Sequence, residues 1–275
     1  MAAPARKAAL KKSRPCEACR DMKKSRMSAL QENPFTGPIA AEYDVLRLMC
    51  PNAATLAKKI GDRVAEWRSD AGPIDGFEIG CGTGISTLAA LSARGDLKLT
   101  AIDSAGEMLD QARTNLADYT LAGRVKFIEA DALTALRALP DARMDVVISN
   151  YAIHNFPDDY RKAVVWEIFR ALKPGGIFIN GDRYAMDDPA AHLADTQAVV
   201  RGWFKIFTKM NRLDLLEDWI VHLLSDESPL HIMPFEPALE QLRAAGFAPV
   251  TVEFRDGVDT LVTAVRPDFS TKHAC

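Results

Sequence analysis

The chain has 275 residues, of which 48% are hydrophobic and 26% are charged, and its net charge is −3. This length suffices for one large α/β domain with a substantial core, and the composition is ordinary for a globular protein. No apolar run approaches the ~20 residues of a membrane span, which excludes a membrane-embedded body. Five dispersed cysteines and a start without an apolar h-region argue against a secreted disulfide framework and predict a cytoplasmic protein.

The first segment, residues 1–33, is predicted to be a basic mobile tail. Residues 1–27 hold nine Lys/Arg and two acidic residues, a net charge of +7, so the rest of the chain carries −10. We interpret the tail as a solvated charge run, with contact to RNA or an acidic partner as the alternative. Cys16 and Cys19 lack the second pair that a structural zinc needs, and no metal site is predicted.

Residues 34–72 are predicted to contain two helices, over Ile39–Met49 and Ala53–Trp67. Apolar residues recur in them at a spacing of three to four, as on one face of a helix. Both helices precede the first strand and therefore stand outside the alternating strand–helix core.

A glycine-rich turn follows the first strand. The apolar run Pro73–Ile79 leads into Gly80, Gly82 and Gly84, and Ile85–Ala93 then has helical spacing. A strand, turn and helix of this kind present free N–H groups to a ligand. A dinucleotide fingerprint would have glycine at position 85. Glu78, beside the turn, would repel a pyrophosphate and suits a cationic or hydroxyl-bearing ligand.

Four more strands alternate with helices downstream, over Leu97–Ile102, Val125–Glu129, Met144–Asn150 and Ile177–Asn180. This alternation predicts a doubly wound parallel sheet, in which ligands bind outside the carboxyl ends of the strands. Ser104 is predicted to cap the helix after the second strand. The predicted carboxyl ends all carry polar residues: Glu78, Asp103, Asp131, Asn150 and Asp182.

Residues 183–234 interrupt the alternation with two helices, Pro189–Lys209 and Leu213–Leu224. Their aromatic face predicts a cap over the site, with a substrate pocket formed by Arg183, Trp203, Phe207 and Trp219. An ordinary helical packing layer or a homodimer contact is the alternative. A helix over Phe235–Ala245 and strands over Val250–Phe254 and Thr260–Val265 follow, the strands joined by an Asp256-Gly257 hairpin turn.

Three motifs carry a resemblance to a known family. Residues 78–84 resemble motif I of the class I S-adenosylmethionine (SAM) methyltransferases, acid-x-Gly-x-Gly-x-Gly. Residues 150–156 are similar to motif IV, and Leu172–Gly176 is similar to a run common in small-molecule methyltransferases. The resemblance covers about residues 35–266.

The resemblance implies an α/β fold with a Rossmann-like seven-stranded sheet, five strands parallel and the final pair antiparallel. N-terminal lid helices precede it, and a helical insertion interrupts it before the last two strands. The SAM-binding core would span residues 73–182. Residues 235–266 would complete that core, and residues 267–275 would form a tail.

The resemblance also implies SAM as cofactor, S-adenosylhomocysteine (SAH) as product, and in-line methyl transfer to a small molecule. The turn would meet the methionine end and ribose, Asp103 the ribose hydroxyls, and Asp131 with Ala132 the adenine. The implied cofactor-binding residues are Tyr43, Glu78, Gly80, Cys81, Gly82, Thr83, Gly84, Asp103, Ser104, Met108, Asp131, Ala132, Asn150 and Tyr151.

Catalysis of this kind needs a general base only when the acceptor atom carries a proton. His154 is the candidate base, with a packing role as its alternative. Asp182 and Tyr184 are predicted to orient a polar substrate, and Arg183 to pair with a carboxylate or phosphate. His192, His222 and His231 are interpreted as surface or packing residues.

Within the family, the chain has a distant likeness to carboxy-S-adenosylmethionine synthase and to ubiquinone/menaquinone-type methyltransferases. The resemblance implies that the synthase holds its extra carboxylate with an Arg of the insertion. Leu213–Leu224 has no Arg or Lys, so ordinary methyl transfer is preferred. An RNA-modifying enzyme or a non-catalytic SAM binder stays an alternative, although binding to nucleic acid is not expected of the acidic body.

Overall fold

The computed structural model describes residues 49–67 and 72–268. Several predictions lie outside these residues: those for the basic tail, for Cys16 and Cys19, and for Tyr43. The predicted helix Ile39–Met49 also lies outside them, except for its last residue, Met49. So does the end of the C-terminal tail. All the described residues belong to one compact unit, residues 35–275.

Helices and strands alternate along the described chain much as the sequence predicts. The helices are α1 (Pro51–Glu66), α2 (Ile85–Ala93), α3 (Gly106–Asn115), α4 (Ala117–Leu121), α5 (Ala132–Arg137), α6 (Asp158–Ala171), α7 (Pro189–Met210), α8 (Leu213–Asp226) and α9 (Phe235–Ala244). The strands are β1 (Ile74–Ile79), β2 (Leu97–Asp103), β3 (Val125–Glu129), β4 (Met144–Asn150), β5 (Leu172–Arg183), β6 (Val250–Asp256) and β7 (Asp259–Val265).

The seven strands form one sheet in the order β3-β2-β1-β4-β5-β7-β6. The first five strands along the chain pair in parallel, whereas β7 pairs antiparallel with both β5 and β6. The predicted fold is therefore confirmed. The strand order reverses between β1 and β4, and a crevice at such a reversal is where doubly wound sheets bind ligands.

Helices cover both faces of the sheet. On one face α1, α2 and α3 bury a cluster that includes Leu56, Leu91 and Leu109. On the other, α5, α6 and α9 bury a second cluster around Phe77 and Phe178. Each face of the parallel strands is thus sealed, which leaves the carboxyl ends of the strands as the accessible edge.

Two local predictions are wrong. Residue Ser104 does not cap a helix: α3 has Ala105 at its N-cap, and the Asp103 carboxylate accepts the Ala105 N–H instead, at 2.9 Å. The fifth strand begins earlier than the predicted Ile177: residues 172–176 already lie inside β5, where the pairing with β4 shifts between Met144 and Val146. No helix among residues 49–67 and 72–268 is long and apolar enough to cross a membrane.

Candidate active site at the carboxyl edge of the sheet

The glycine turn joins β1 to α2 at the crevice. Gly80, Gly82 and Gly84 have φ angles of 65°, 52° and 90°, a left-handed conformation that residues with a Cβ avoid. A Cβ on Gly80 would lie 2.3 Å from the Cβ of Ala152, so the turn also packs tightly against the segment after β4. No side chain caps the N-terminus of α2, whose N-cap is Gly84. The first N–H groups of that helix are therefore free of a side-chain cap.

Glu78 is a buried residue that links the glycine turn to the protein core. Its side chain is fully buried, and its two oxygens accept hydrogen bonds from the hydroxyls of Ser86 and Thr87, each at 2.6 Å. Burial raises the pKa of this carboxyl to about 7, although the two hydroxyls act in the opposite direction. Glu78 therefore ties β1 to the first turn of α2, and its carboxylate does not reach the surface of the cleft.

Asp103 stands at the end of β2 beside the turn. One carboxylate oxygen accepts the Gly82 N–H at 2.8 Å, and the other accepts the Ala105 N–H at 2.9 Å. Burial raises the pKa of this carboxyl, while these backbone donors lower it. Each oxygen retains acceptor capacity, and the side chain is partly exposed. Asp103 is thus held in place with room to accept hydroxyl groups.

The residues predicted to meet adenine lie just past β3. Asp131 caps α5 by accepting the Thr134 N–H at 2.9 Å, and it also accepts the Tyr160 hydroxyl. Burial acts to raise the pKa of the Asp131 carboxyl, but the hydrogen bonds from these donors have the larger effect, so the pKa lies below its ordinary value. Ala132 and Met108 are buried beside this edge, as are Cys81 and Thr83 in the turn, so they offer backbone and packing surface rather than free polar groups.

Asn150 and Tyr151 follow β4. The Asn150 side chain donates to the carbonyl of Ala53 at 3.2 Å, and its Oδ1 is buried with no hydrogen-bond partner. Tyr151 has a φ of 52°, a conformation that is uncommon for a bulky residue and marks a constrained backbone. Its hydroxyl donates to Asp259 at 2.5 Å.

His154 and Asp182 form a buried pair above β4 and β5. The Nδ1 atom of His154 lies 2.5 Å from Oδ1 of Asp182, whose other oxygen accepts the N–H groups of Ile153 and His154 at 2.9 and 3.2 Å. A carboxylate can only accept here, so Nδ1 is the nitrogen that donates to Asp182, and in the neutral ring the lone pair is on Nε2. The Asp182 carboxylate thereby fixes the orientation of the His154 ring.

Tyr184, also predicted to orient the substrate, points elsewhere. It is 2% exposed within the core on the α5, α6 and α9 face, and its hydroxyl accepts a hydrogen bond from Asn180 at 2.8 Å. This packing gives no support to the predicted catalytic role of Tyr184.

A small cavity lies against His154. It encloses about 20 Å³, room for one group the size of a water molecule rather than for a whole substrate. The lining residues are His154, Arg183, Ala185, His192, Asp226, Glu227, His231, Ile232, Met233 and Val258. The cavity brings together the end of β5, both helices of the insertion and the turn before β7.

The three aromatic residues predicted for the substrate pocket lie away from this cavity. Trp203, Phe207 and Trp219 are at most 3% exposed and pack with one another. Their cluster also contains Met49, Leu215, Leu216 and Leu223. The insertion uses its aromatic face to build its own core, which gives the predicted pocket role no support. Arg183 does line the cavity, but its guanidinium lies 3.3 Å from Oε1 of Glu227 and is already paired.

Sequence reasoning missed the residues that the insertion supplies. Asp226 Oδ2 lies 3.8 Å from Nε2 of His154 and 3.4 Å from Nε2 of His222, and Glu227 Oε2 lies 2.6 Å from Nε2 of His192. The spacing of four between His222 and Asp226 was the one local signal available. No group of three or more His, Cys, Asp or Glu in the described part of the chain is placed to hold a metal ion.

Residues 77–176 match the family model of a methyltransferase domain. This stretch of the chain is a methyltransferase domain. Its methyl donor is SAM. The glycine turn and the held Asp103 carboxylate suit a ligand with a ribose and a cationic group, so the residues present fit this donor.

Comparisons with individual proteins agree with the domain. Carboxy-S-adenosyl-L-methionine synthase of Shewanella loihica is 24% identical over 221 residues, which cover 77% of this chain and 83% of that protein. Demethylmenaquinone methyltransferase of Leptospira interrogans is 34% identical over 119 residues, 43% of this chain and 47% of that protein. An O-methyltransferase family protein from Burkholderia thailandensis superposes with a TM-score of 0.57 at 19% identity, covering 92% of this chain and 70% of that one. The structural likeness concerns the fold alone.

Proposed function

We propose that this methyltransferase domain transfers the methyl group of SAM to a small-molecule acceptor, with His154 as the general base. The observation that carries the proposal is the buried His154–Asp182 pair at the edge of the sheet that also holds the glycine turn. Such an edge is where doubly wound sheets bind their ligands.

SAM supplies an electrophilic methyl group, whose bond to sulfur breaks with the electron pair left on sulfur. The chain's own residues contribute position and proton transfer. Asp103 and the turn would hold the ribose and the methionine end. Asp182 keeps the Nδ1 proton of His154 in place, so Nε2 can take the proton of the acceptor atom as the new bond forms.

Calorimetry tests the cofactor half of the proposal. SAM and SAH should bind, and Asp103→Ala should weaken both by about tenfold or more, because a held acceptor for hydroxyl groups is lost. Asp110→Ala, at an exposed position on α3, is the matched control and should leave both affinities unchanged. An intact, folded chain that binds neither compound would reject the proposal.

Release of SAH with a small-molecule metabolite fraction tests the catalytic half. His154→Gln should lower kcat by about 10²-fold with little change in SAM affinity, since the side chain acts on the proton rather than on the cofactor. An equal rate in His154→Gln would remove the base from the mechanism. Binding of SAM with no SAH release from any fraction would favour the non-catalytic alternative.

A second candidate is a carboxy-SAM-synthase-like reaction, because relatives that cover most of the chain carry that name. A carboxylated ligand would need a free cation, and Arg183 is paired with Glu227. Mass spectrometry of the adenosyl product separates the two candidates: methyl transfer yields SAH, and the synthase reaction yields a heavier, carboxylated product.

A further inference from the structure

The cavity beside His154 contains more carboxylates than permanent cations. Asp226 and Glu227 line the cavity together with Arg183. Asp259 is close enough to Arg183 to affect the pKa of the Arg183 guanidinium. Burial lowers the pKa of the Arg183 guanidinium, but Asp226, Glu227 and Asp259 outweigh burial and raise it. One guanidinium thus faces three carboxylates in a partly buried space.

Arg183 cannot balance all of these charges. Its closest ion pair is with Glu227 at 3.3 Å, and Glu227 also engages His192 at 2.6 Å. The ion pairs of Asp226 within the described residues are with two imidazoles, those of His154 and His222. The side chain of Asp226 is only 11% exposed, so water screens its charge weakly.

Two of the nearby imidazoles, those of His222 and His231, add little positive charge. Burial lowers the pKa of His222 and of His231, which favours their neutral forms near neutral pH. The Nδ1 atom of His154 is hydrogen-bonded to Asp182, a further carboxylate below the cavity. The buried Arg161 guanidinium interacts with Asp182 and donates to the carbonyl of His231, so even with Arg161 included the carboxylates outnumber the permanent cations. The cavity is therefore best completed by a cationic group small enough to fill the volume of a water molecule.

We infer that the acceptor is an amine, whose ammonium head enters this cavity beside Asp226 and His154. The inference rests on the proposed function and adds the chemical class of the acceptor. An ammonium group offers several N–H donors to the carboxylate oxygens and supplies the missing positive charge. A carboxylate or phosphate would instead face Asp226 and Glu227, and Arg183, the arginine among the lining residues, is already paired with Glu227.

The same arrangement serves the reaction. Nε2 of His154 takes one proton from the ammonium, which leaves a lone pair on nitrogen. That lone pair forms the new bond to the methyl carbon while the bond between carbon and sulfur breaks and its electrons remain on sulfur. The methylated nitrogen ends as an ammonium, sulfur as a thioether, and one proton remains on His154 to be released to solvent.

The inference is tested by ligand binding to the SAH-loaded protein, in which no transfer can occur. Ethylammonium, ethanol and acetate are probes of similar size and different charge. Imidazole signals in ¹H–¹⁵N NMR spectra should shift saturably with ethylammonium, with His154 and His231 most affected. Ethanol and acetate should bind at least about tenfold more weakly, because neither supplies the missing charge.

A matched pair of variants tests whether ethylammonium binds beside Asp226. Asp226→Asn should weaken ethylammonium binding by about tenfold or more, whereas Asp218→Asn, an exposed acid on the same helix, should leave it unchanged. Thermal unfolding checks that both variants are folded. The comparison of the three probes on the unaltered protein does not depend on either variant.

The outcomes are separable from those of the proposed function. No binding of SAH rejects the proposed function. Binding of SAH with acetate or ethanol equal to or stronger than ethylammonium, or with no binding of ethylammonium, overturns the inference alone. An NMR spectrum in which His154 and His192 are both protonated near neutral pH without any amine would also overturn it, since the imidazoles would then balance the acids.

Discussion

The buried Glu78 should make the free energy of unfolding depend on pH. Its pKa rises from 4.5 to about 7 in the folded protein, chiefly because burial disfavours the charged carboxylate. The folded protein therefore binds this proton more tightly than the unfolded chain does. The contribution of Glu78 is complete below about pH 4.5 and is lost as the pH rises through about 7.

The magnitude follows from the size of the pKa shift. At ~1.4 kcal/mol for each pKa unit, ionised Glu78 lowers the free energy of unfolding by about 3 kcal/mol at pH 8. Glu78→Gln removes this effect and retains the local geometry. An amide can accept from one hydroxyl and donate to the other, because Ser86 and Thr87 can each rotate their hydroxyls.

Urea unfolding at pH 5, 6.5 and 8 measures the effect. The free energy of unfolding of Glu78→Gln minus that of the original chain should grow by about 2–3 kcal/mol between pH 5 and 8. Glu217→Gln, on the exposed side of α8, is the control and should show a difference that is flat with pH. A flat difference for Glu78→Gln as well would refute the argument that burial holds this proton.

Three further substitutions test other parts of the fold and site. Phe207→Ala should lower the free energy of unfolding by about 3–5 kcal/mol in urea titrations, because the ring is fully buried in the insertion's own core. SAM affinity should not change. Altered acceptor selectivity at unchanged stability would contradict this prediction. Gly80→Ala should weaken SAM binding by calorimetry about tenfold or more, because its Cβ would meet Ala152 at 2.3 Å and φ is 65°. Asp182→Asn should lower kcat by about 10²-fold and change its pH profile, since the amide cannot accept from all the donors around it; an unchanged profile would separate Asp182 from His154.

Much of the local structure around the glycine turn could be predicted from the sequence. The glycine turn is a single stretch of chain, and positive φ angles with a following helix are properties of residues next to one another. The placement of Asp103 follows from the alternation of strands and helices, because parallel strands end at one edge of a sheet. The structure corrected the role of Glu78 in detail: its oxygens bind Ser86 and Thr87 inside the protein.

The acceptor side could not be predicted in the same way. The aromatic pattern of the insertion indicates that one helix face is buried, but not which partner buries it. In the structure, Trp203, Phe207 and Trp219 bury one another. Asp226 and Glu227 are ordinary acids in the sequence, and nothing next to them indicates a cavity.

By itself, the sequence determined the fold class and the glycine turn. These depend on short-range conformational preferences and on a regular alternation of strands and helices. Tertiary packing alone decided which insertion residues meet His154. The contacts of Asp226 with His154 and of Glu227 with Arg183 join distant parts of the chain. Only the docking of α7 and α8 over the carboxyl edge of the sheet brings those charges together.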